Sequence, residues 1–137
     1  DFHGFTGPFV QYTHARIKSI LRKESVNGNP IAIGWSMQNK DDFKSNSSLL
    51  NLEKELIVNL EQYPAVLEEA VAEHNPSVIA NYVFTLAKTF NSFYAEHSIA
   101  NAENEEKKQL RLRIACMTAN TIKSGMQLMG IRVPERM

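Results

Sequence analysis

Cys116 is the one cysteine in the 137-residue chain, which excludes an internal disulfide framework and any cysteine-based zinc cluster. No apolar run approaches the roughly 18–20 residues of a membrane span. No basic-then-apolar leader is present, so nothing points to secretion. Glycine and proline are sparse, six and five residues, while 43% of the chain is hydrophobic. That balance excludes collagen-like, low-complexity and fully disordered chains and fits one globular core. Net charge is lacking too, 15 basic residues against 15 acidic. Taken whole, this weighs against a nucleic-acid partner, because such domains are usually basic. The chain opens on Asp1 rather than Met, and is expected to be a piece of something longer.

Motifs for chemistry are missing as well. The glycines never form a Gly-x-Gly-x-x-Gly or Walker loop, and no Gly-x-Ser-x-Gly elbow occurs. A di-metal helical bundle needs Glu-x-x-His pairs, but Gln11, Val71 and Tyr94 stand three residues before His14, His74 and His97. Cys116 falls within a helical pattern with no histidine near it in sequence and reads as a small buried hydrophobe. No catalytic residue, metal ligand or cofactor site is assigned.

What is present is helical periodicity. Between Asn75 and His97, apolar residues fall at Ile79, Tyr82, Val83, Leu86, Phe90, Phe93 and Tyr94, the 3-and-4 spacing of one helix face. Asn75 suits the cap and Pro76 the first helical position. Asn104–Met129 repeats the pattern through Leu110, Ile114, Met117, Thr121, Gly125 and Leu128, with Asn101 or Asn104 as cap and Gly130 as stop. A hairpin over Leu49–Gln62 and Ala65–His74 is expected to break at Tyr63-Pro64. Ser47 or Ser48 would cap it, and Leu49, Leu52, Leu56 and Leu60 would face inward. Pro8–Lys23 is expected to bury Phe9, Ile17, Ile20 and Leu21, and residues 24–48 read as a long connection. The reading is an all-α bundle of about five helices forming a single domain over 1–137.

The zero charge is a cancellation. Residues 1–23 carry +3, residues 41–75 carry −6, and residues 101–137 carry +3. An acidic hairpin is thus flanked by basic ends that would form a local basic surface if the bundle brings them together. Lys107, Lys108, Arg111, Arg113 and Lys123 are phosphate candidates on this ground; ordinary solvated helix faces are the alternative. One helix also holds Asn81, Tyr82, Phe90, Asn91, Phe93 and Tyr94. From the residues alone that stripe reads as core packing, although a tyrosine near a helix end can bury its edge and still offer a face to a base.

Three segments then carry a resemblance. Thr6-Gly7-Pro8-Phe9-Val10-Gln11-Tyr12-Thr13-His14-Ala15-Arg16-Ile17 resembles the helix by which arginyl-tRNA synthetases enter their anticodon-binding domain. Ala80–Tyr94, with its Asn-Tyr, Leu-Ala and Phe-Asn-x-Phe-Tyr signatures, is similar to that family's central helix, and Arg111–Met137 to its last helix and tail. The three anchors are collinear and cover nearly the whole chain. Phe5, where the family often has Asn, and residues 24–48 depart from the pattern.

The resemblance implies a DALR-type helical bundle that binds the anticodon stem-loop of arginine tRNA. The parent enzyme would be a cytoplasmic, monomeric arginine–tRNA ligase. Its ATP and magnesium would be held by a separate catalytic domain, also this domain's expected partner. The His-Ile-Gly-His and Lys-Met-Ser-Lys-Ser motifs of that catalytic domain do not occur here, so the chain alone is expected to be inactive. By position, Tyr94 would stack on an unpaired base, and Arg136 and Met137, with the end carboxylate, would shape a base pocket. Asn81 and Asn91 would hydrogen-bond RNA. Gln11, Tyr12 and Arg16 would face the tRNA stem or the catalytic domain, with Arg16 on phosphate. The competing expectation is a helical protein-interaction domain that docks through its acidic hairpin without binding RNA.

Overall fold

The computed structural model describes residues 6–25 and 49–137. These residues form five helices: α1 (Gly7–Ser25), α2 (Asn51–Glu61), α3 (Tyr63–Ala72), α4 (Ser77–Glu96) and α5 (Glu105–Leu128). Helix α4 is central and packs against all four others, while α1 and α5 pack against each other across it.

Helix ends follow from local chemistry. At the start of α5, Asn104 Oδ1 accepts from Lys107 N at 2.8 Å, and Glu105 and Glu106 sit in the first turn, where the helix dipole favours anions. Its far end closes with Gly130 at φ 76°, Gly130 N donating to Gln127 O and Ile131 N to Met126 O. That is the paired-hydrogen-bond stop in which glycine supplies the left-handed residue. The same bond pattern ends α3, with His74 N on Val71 O and Asn75 N on Ala70 O. There the left-handed residue is His74, at φ 49°, so α3 stops at Ala72, two residues short of the expected end. Pro76 rather than Asn75 takes the cap position of α4, which starts at Ser77 without a side-chain cap bond; Asn75 Oδ1 accepts from Ser77 N at 3.0 Å in the turn that precedes it. The α2–α3 break falls at Gln62 rather than Tyr63-Pro64, because Pro64 is tolerated in the first turn of α3. Leu50 occupies the α2 cap, its N–H donating to Glu53 Oε1 at 2.9 Å; Ser47 and Ser48 lie outside the described residues.

The core gathers Ile17 and Leu21 of α1, Leu56 and Leu60 of α2, Val83, Leu86, Phe90 and Phe93 of α4, and Ile114, Ile122 and Met126 of α5. Phe9, Ile20, Leu49 and Leu52 are only partly buried against it. Gly125 lets α5 lie close to α4: a Cβ there would meet Val83 Cγ1 at 2.7 Å and Ile79 Cγ2 at 3.3 Å.

One polar cluster is buried with this core. Glu53 has no exposed surface and accepts from Lys107 Nζ at 2.6 Å and Arg111 Nε at 2.9 Å. Arg111, also fully buried, donates to Ser98 O at 2.7 Å and Glu103 Oε2 at 2.9 Å. Burial pushes the Glu53 carboxyl up, but the Leu50 N–H and the Lys107 and Arg111 hydrogen bonds outweigh it and hold it below the usual range. Lys108 pairs with buried Glu24 at 3.0 Å. Lys107, Lys108 and Arg111 are therefore engaged with the protein's own carboxylates, which corrects their reading as phosphate contacts. Helix α1 also runs through Glu24 and Ser25, so the connection expected from residue 24 does not start there; residues 26–48 lie outside the described residues.

Candidate nucleic-acid interface

Helix α1 presents three faces. Val10, Ile17 and Leu21 go into the core. Gln11, His14, Lys18 and Arg22, spaced 3-4-4, form a polar ladder that holds the segment after α5. Gln11 Nε2 donates to Arg132 O at 2.8 Å, His14 Nδ1 to Pro134 O at 2.8 Å, and Arg22 Nη1 to Glu135 O at 3.1 Å. Lys18 Nζ adds a 3.8 Å pair with the Glu135 carboxylate. These three hydrogen bonds all read backbone carbonyls, so they fix the path of residues 132–135 whatever their side chains. Pro134 lacks an N–H, and its carbonyl is the one polar backbone atom it can offer. Burial pushes the His14 imidazole below its ordinary value, against the Pro134 contact and the nearby Glu135. The ring is therefore neutral at neutral pH, with its Nδ1 proton on Pro134 O.

The third face borders a cleft of about 440 Å³. Tyr12, Arg16, Ser19 and Lys23, spaced 4-3-4, line one side with Arg22. Tyr94, near the end of α4, and the docked Arg136 and Met137 close the other. Four of the lining residues (Arg16, Arg22, Lys23 and Arg136) are basic and none is acidic. No residue of α2 or α3 lines it, so the described part of the acidic hairpin stands apart from the cleft. Tyr12 is 51% exposed and Met137 72%, whereas Tyr94 and Arg16 are half-buried. Arg16 Cζ lies 4.5 Å from the Tyr94 ring centroid.

Five of the eight expected contact residues meet here: Tyr12, Arg16, Tyr94, Arg136 and Met137. Two others support the site from behind. Gln11 anchors Arg132, and Asn91 Oδ1 accepts from Arg16 Nη1 at 2.7 Å. Asn91 Nδ2 is used on Thr13 Oγ1 and Ala87 O, each at 2.8 Å. Asn81 is elsewhere. It is exposed on a second depression with Asn59, Gln62 and Glu69, about 20 Å along α4 from Tyr94 at 1.5 Å per residue. Ser19, Arg22, Lys23, Thr13 and His14 are additions that residue-type reasoning missed. Their signal was the three-faced spacing of α1, in which polar residues recur at helical period on two faces.

Among the described residues no three His, Cys, Asp or Glu side chains converge to hold a metal. Cys116 is half-buried and burial pushes its thiol up, away from the reactive thiolate. Among the described residues no helix is long and apolar enough to cross a membrane. A helical bundle with a cationic, aromatic cleft built from two helices and a docked segment defines an all-α binding domain.

Comparison with known proteins makes the class particular. The chain belongs to the DALR anticodon-binding domain family, whose family model matches residues 10–137. The arginine–tRNA ligase of Flavobacterium psychrophilum is 44% identical over the whole chain, which covers 21% of that enzyme. That of Bacteroides fragilis is 41% identical over the whole chain, which covers 22% of it. The solved Thermus thermophilus arginyl-tRNA synthetase aligns with all of this chain at a TM-score of 0.76 and 31% identity, again over 22% of its own length. A putative arginyl-tRNA synthetase from Campylobacter jejuni aligns at 0.73 and 27% identity, covering 94% of this chain and 26% of its own. The chain thus spans about a fifth of the curated relatives it matches.

Proposed function

We propose that this chain is the anticodon-binding domain of an arginine–tRNA ligase, and that its cleft receives the anticodon loop of arginine tRNA. The observation that carries the reading is the convergence of Tyr12, Arg16, Tyr94, Arg136 and Met137, from three separate parts of the chain, on one cleft that no acidic residue lines among the described residues. Cations there neutralise phosphates and aromatics stack on unpaired bases, the two terms that single-stranded RNA recognition needs. The domain supplies tRNA binding only. Aminoacylation, with its ATP and magnesium, belongs to a catalytic domain elsewhere in a cytoplasmic, monomeric enzyme, and this domain docks on that one. Residues 1–137 act as one domain. A protein-docking role for the acidic hairpin is the second reading: its Glu53 is turned inward to Lys107 and Arg111, while Glu55, Glu68, Glu69 and Glu73 are exposed.

The test is binding of an arginine-tRNA anticodon stem-loop to the 137-residue chain. Affinity is expected to fall linearly with salt on logarithmic axes, by about 0.7 per neutralised phosphate for single strands, and to fall when the central anticodon base is changed. Tyr94→Ala is expected to weaken binding by roughly 1–3 kcal/mol with an unchanged helical circular-dichroism spectrum. Binding indifferent to both salt and anticodon would sink the proposal, above all if the chain captured a protein and no tRNA.

A further inference from the structure

The aromatic and the cation of the cleft are not independent. The Arg16 guanidinium lies over the Tyr94 ring, 4.5 Å from its centroid, so one face of that ring is covered. Phe90 runs nearly parallel to Tyr94, 10° between planes and 6.2 Å between centroids. A base entering from the Arg16 side meets the guanidinium before it meets tyrosine. Arginine suits that position: its planar, weakly hydrated head stacks on a π face below and under a base above. To do so repeatedly it needs a fixed plane.

The fold supplies one. Arg16 Nη1 can only donate, and it donates to Asn91 Oδ1 at 2.7 Å. Ala87 O can only accept, and it takes a proton from Asn91 Nδ2 at 2.8 Å. The two partners together leave the Asn91 amide a single orientation, with its oxygen toward Arg16. The second Nδ2 proton goes to Thr13 Oγ1 at 2.8 Å, and that hydroxyl spends its own proton on Phe9 O at 3.0 Å. Thr13 is fully buried. The chain from Phe9 carbonyl to Arg16 therefore has a defined donor and acceptor at each link.

We infer, building on the tRNA-binding reading, that Arg16 is the stacking platform for one unpaired base of the anticodon loop. Tyr94 is its under-layer, and Asn91 with Thr13 is the positioning pair that sets the guanidinium plane. This changes the roles expected for three residues: Tyr94 acts through Arg16, Arg16 meets a base rather than a phosphate, and Asn91 touches no RNA.

The experiment uses the 137-residue chain, an arginine-tRNA anticodon stem-loop, and variants of that RNA with one abasic loop position each. Arg16→Lys keeps the charge and removes the plane. It is expected to weaken binding at least about fivefold with the salt slope unchanged, and the loss should vanish on one particular abasic loop. Asn91→Ala should weaken binding in the natural background and add nothing to Arg16→Ala, which a merely structural role would not produce. Arg16→Lys binding as tightly as the natural chain, or losing equally on every abasic loop, would overturn the inference. Failure of the natural chain to bind the intact stem-loop would instead overturn the function proposed above.

Discussion

Replacing Glu53 with Gln keeps the shape of the side chain and removes its charge from a site with no exposed surface. Three donors converge on that carboxylate: Lys107 Nζ at 2.6 Å, Arg111 Nε at 2.9 Å and Leu50 N at 2.9 Å. Charge-assisted hydrogen bonds contribute about 1.5–3 kcal/mol each, but much of that gain only offsets the desolvation of the ions. Removing one partner of a buried ionic cluster costs about 3–5 kcal/mol. Arg111 retains Ser98 O and Glu103, which places the expected loss nearer the lower end, ~3 kcal/mol. A domain of this size is stable by roughly 7–20 kcal/mol, so the change is felt but the chain still folds. Urea denaturation followed by circular dichroism reads it as a lower midpoint with an unchanged slope, and heating as a melting temperature about 10 °C lower.

The pH dependence separates charge from shape. Glu53 titrates lower in the fold than its ordinary 4.5, so its stabilisation is complete above that value and is lost as pH falls through the folded-state pKa. The gap between natural chain and Glu53→Gln should therefore be flat from neutral pH down to about 5 and close on further acidification. A loss under ~1 kcal/mol, or a gap that persists unchanged at low pH, would refute the reasoning. So would a triple replacement of Glu53, Lys107 and Arg111 by apolar residues that behaves no better than Glu53→Gln, because an isosteric apolar cluster is expected to recover most of the loss.

Gly125→Ala sets a helix-propensity gain of about 1 kcal/mol against overpacking of about 1–3 kcal/mol, since the new Cβ meets Val83 Cγ1 at 2.7 Å. Net destabilisation is expected, and a double-mutant cycle with Val83→Ala should show favourable coupling. His74→Gly should raise stability by roughly 1 kcal/mol, because φ 49° is a left-handed conformation that costs any residue with a Cβ about that much; unfolding midpoints decide it. His14 titrates below its ordinary 6.5, so the unfolded chain binds the extra proton first. Stability should rise with pH up to about 6.5 and then level, and His14→Gln should flatten that rise.

The long helices were legible because periodicity and caps agree. Asn104 and Gly130 frame α5 through hydrogen bonds that their residue types imply. The α3 stop was hidden, because His74 takes a left-handed role that sequence patterns assign to glycine or asparagine. Segmental charge found the basic ends but could not tell an inward charge from an outward one. Arg111 and Arg16 look alike in sequence, yet one is sealed against Glu53 and the other faces the cleft. Position within the family pattern brought five residues to the cleft, while Asn81, chosen by type and position together, lies on a different depression. The Asn91 relay needed α1 and α4 side by side, which no local pattern encodes.

The ladder on α1 joins positions 113 to 121 residues apart in the chain. Synthesis makes α1 before the segment it holds, and the polar ladder stays open until residues 132–135 have been added. The fully buried core residues end at Met126, while Ile131 and Val133 pack against that core partly buried. Closing so long a loop after the core is already compact carries little of the entropy that an open chain would lose. The fully buried core and the wall of the cleft made by Arg136 and Met137 are thus built by different parts of the chain. A chain cut at about Gly130 would keep the fully buried core residues and lack that wall of the cleft.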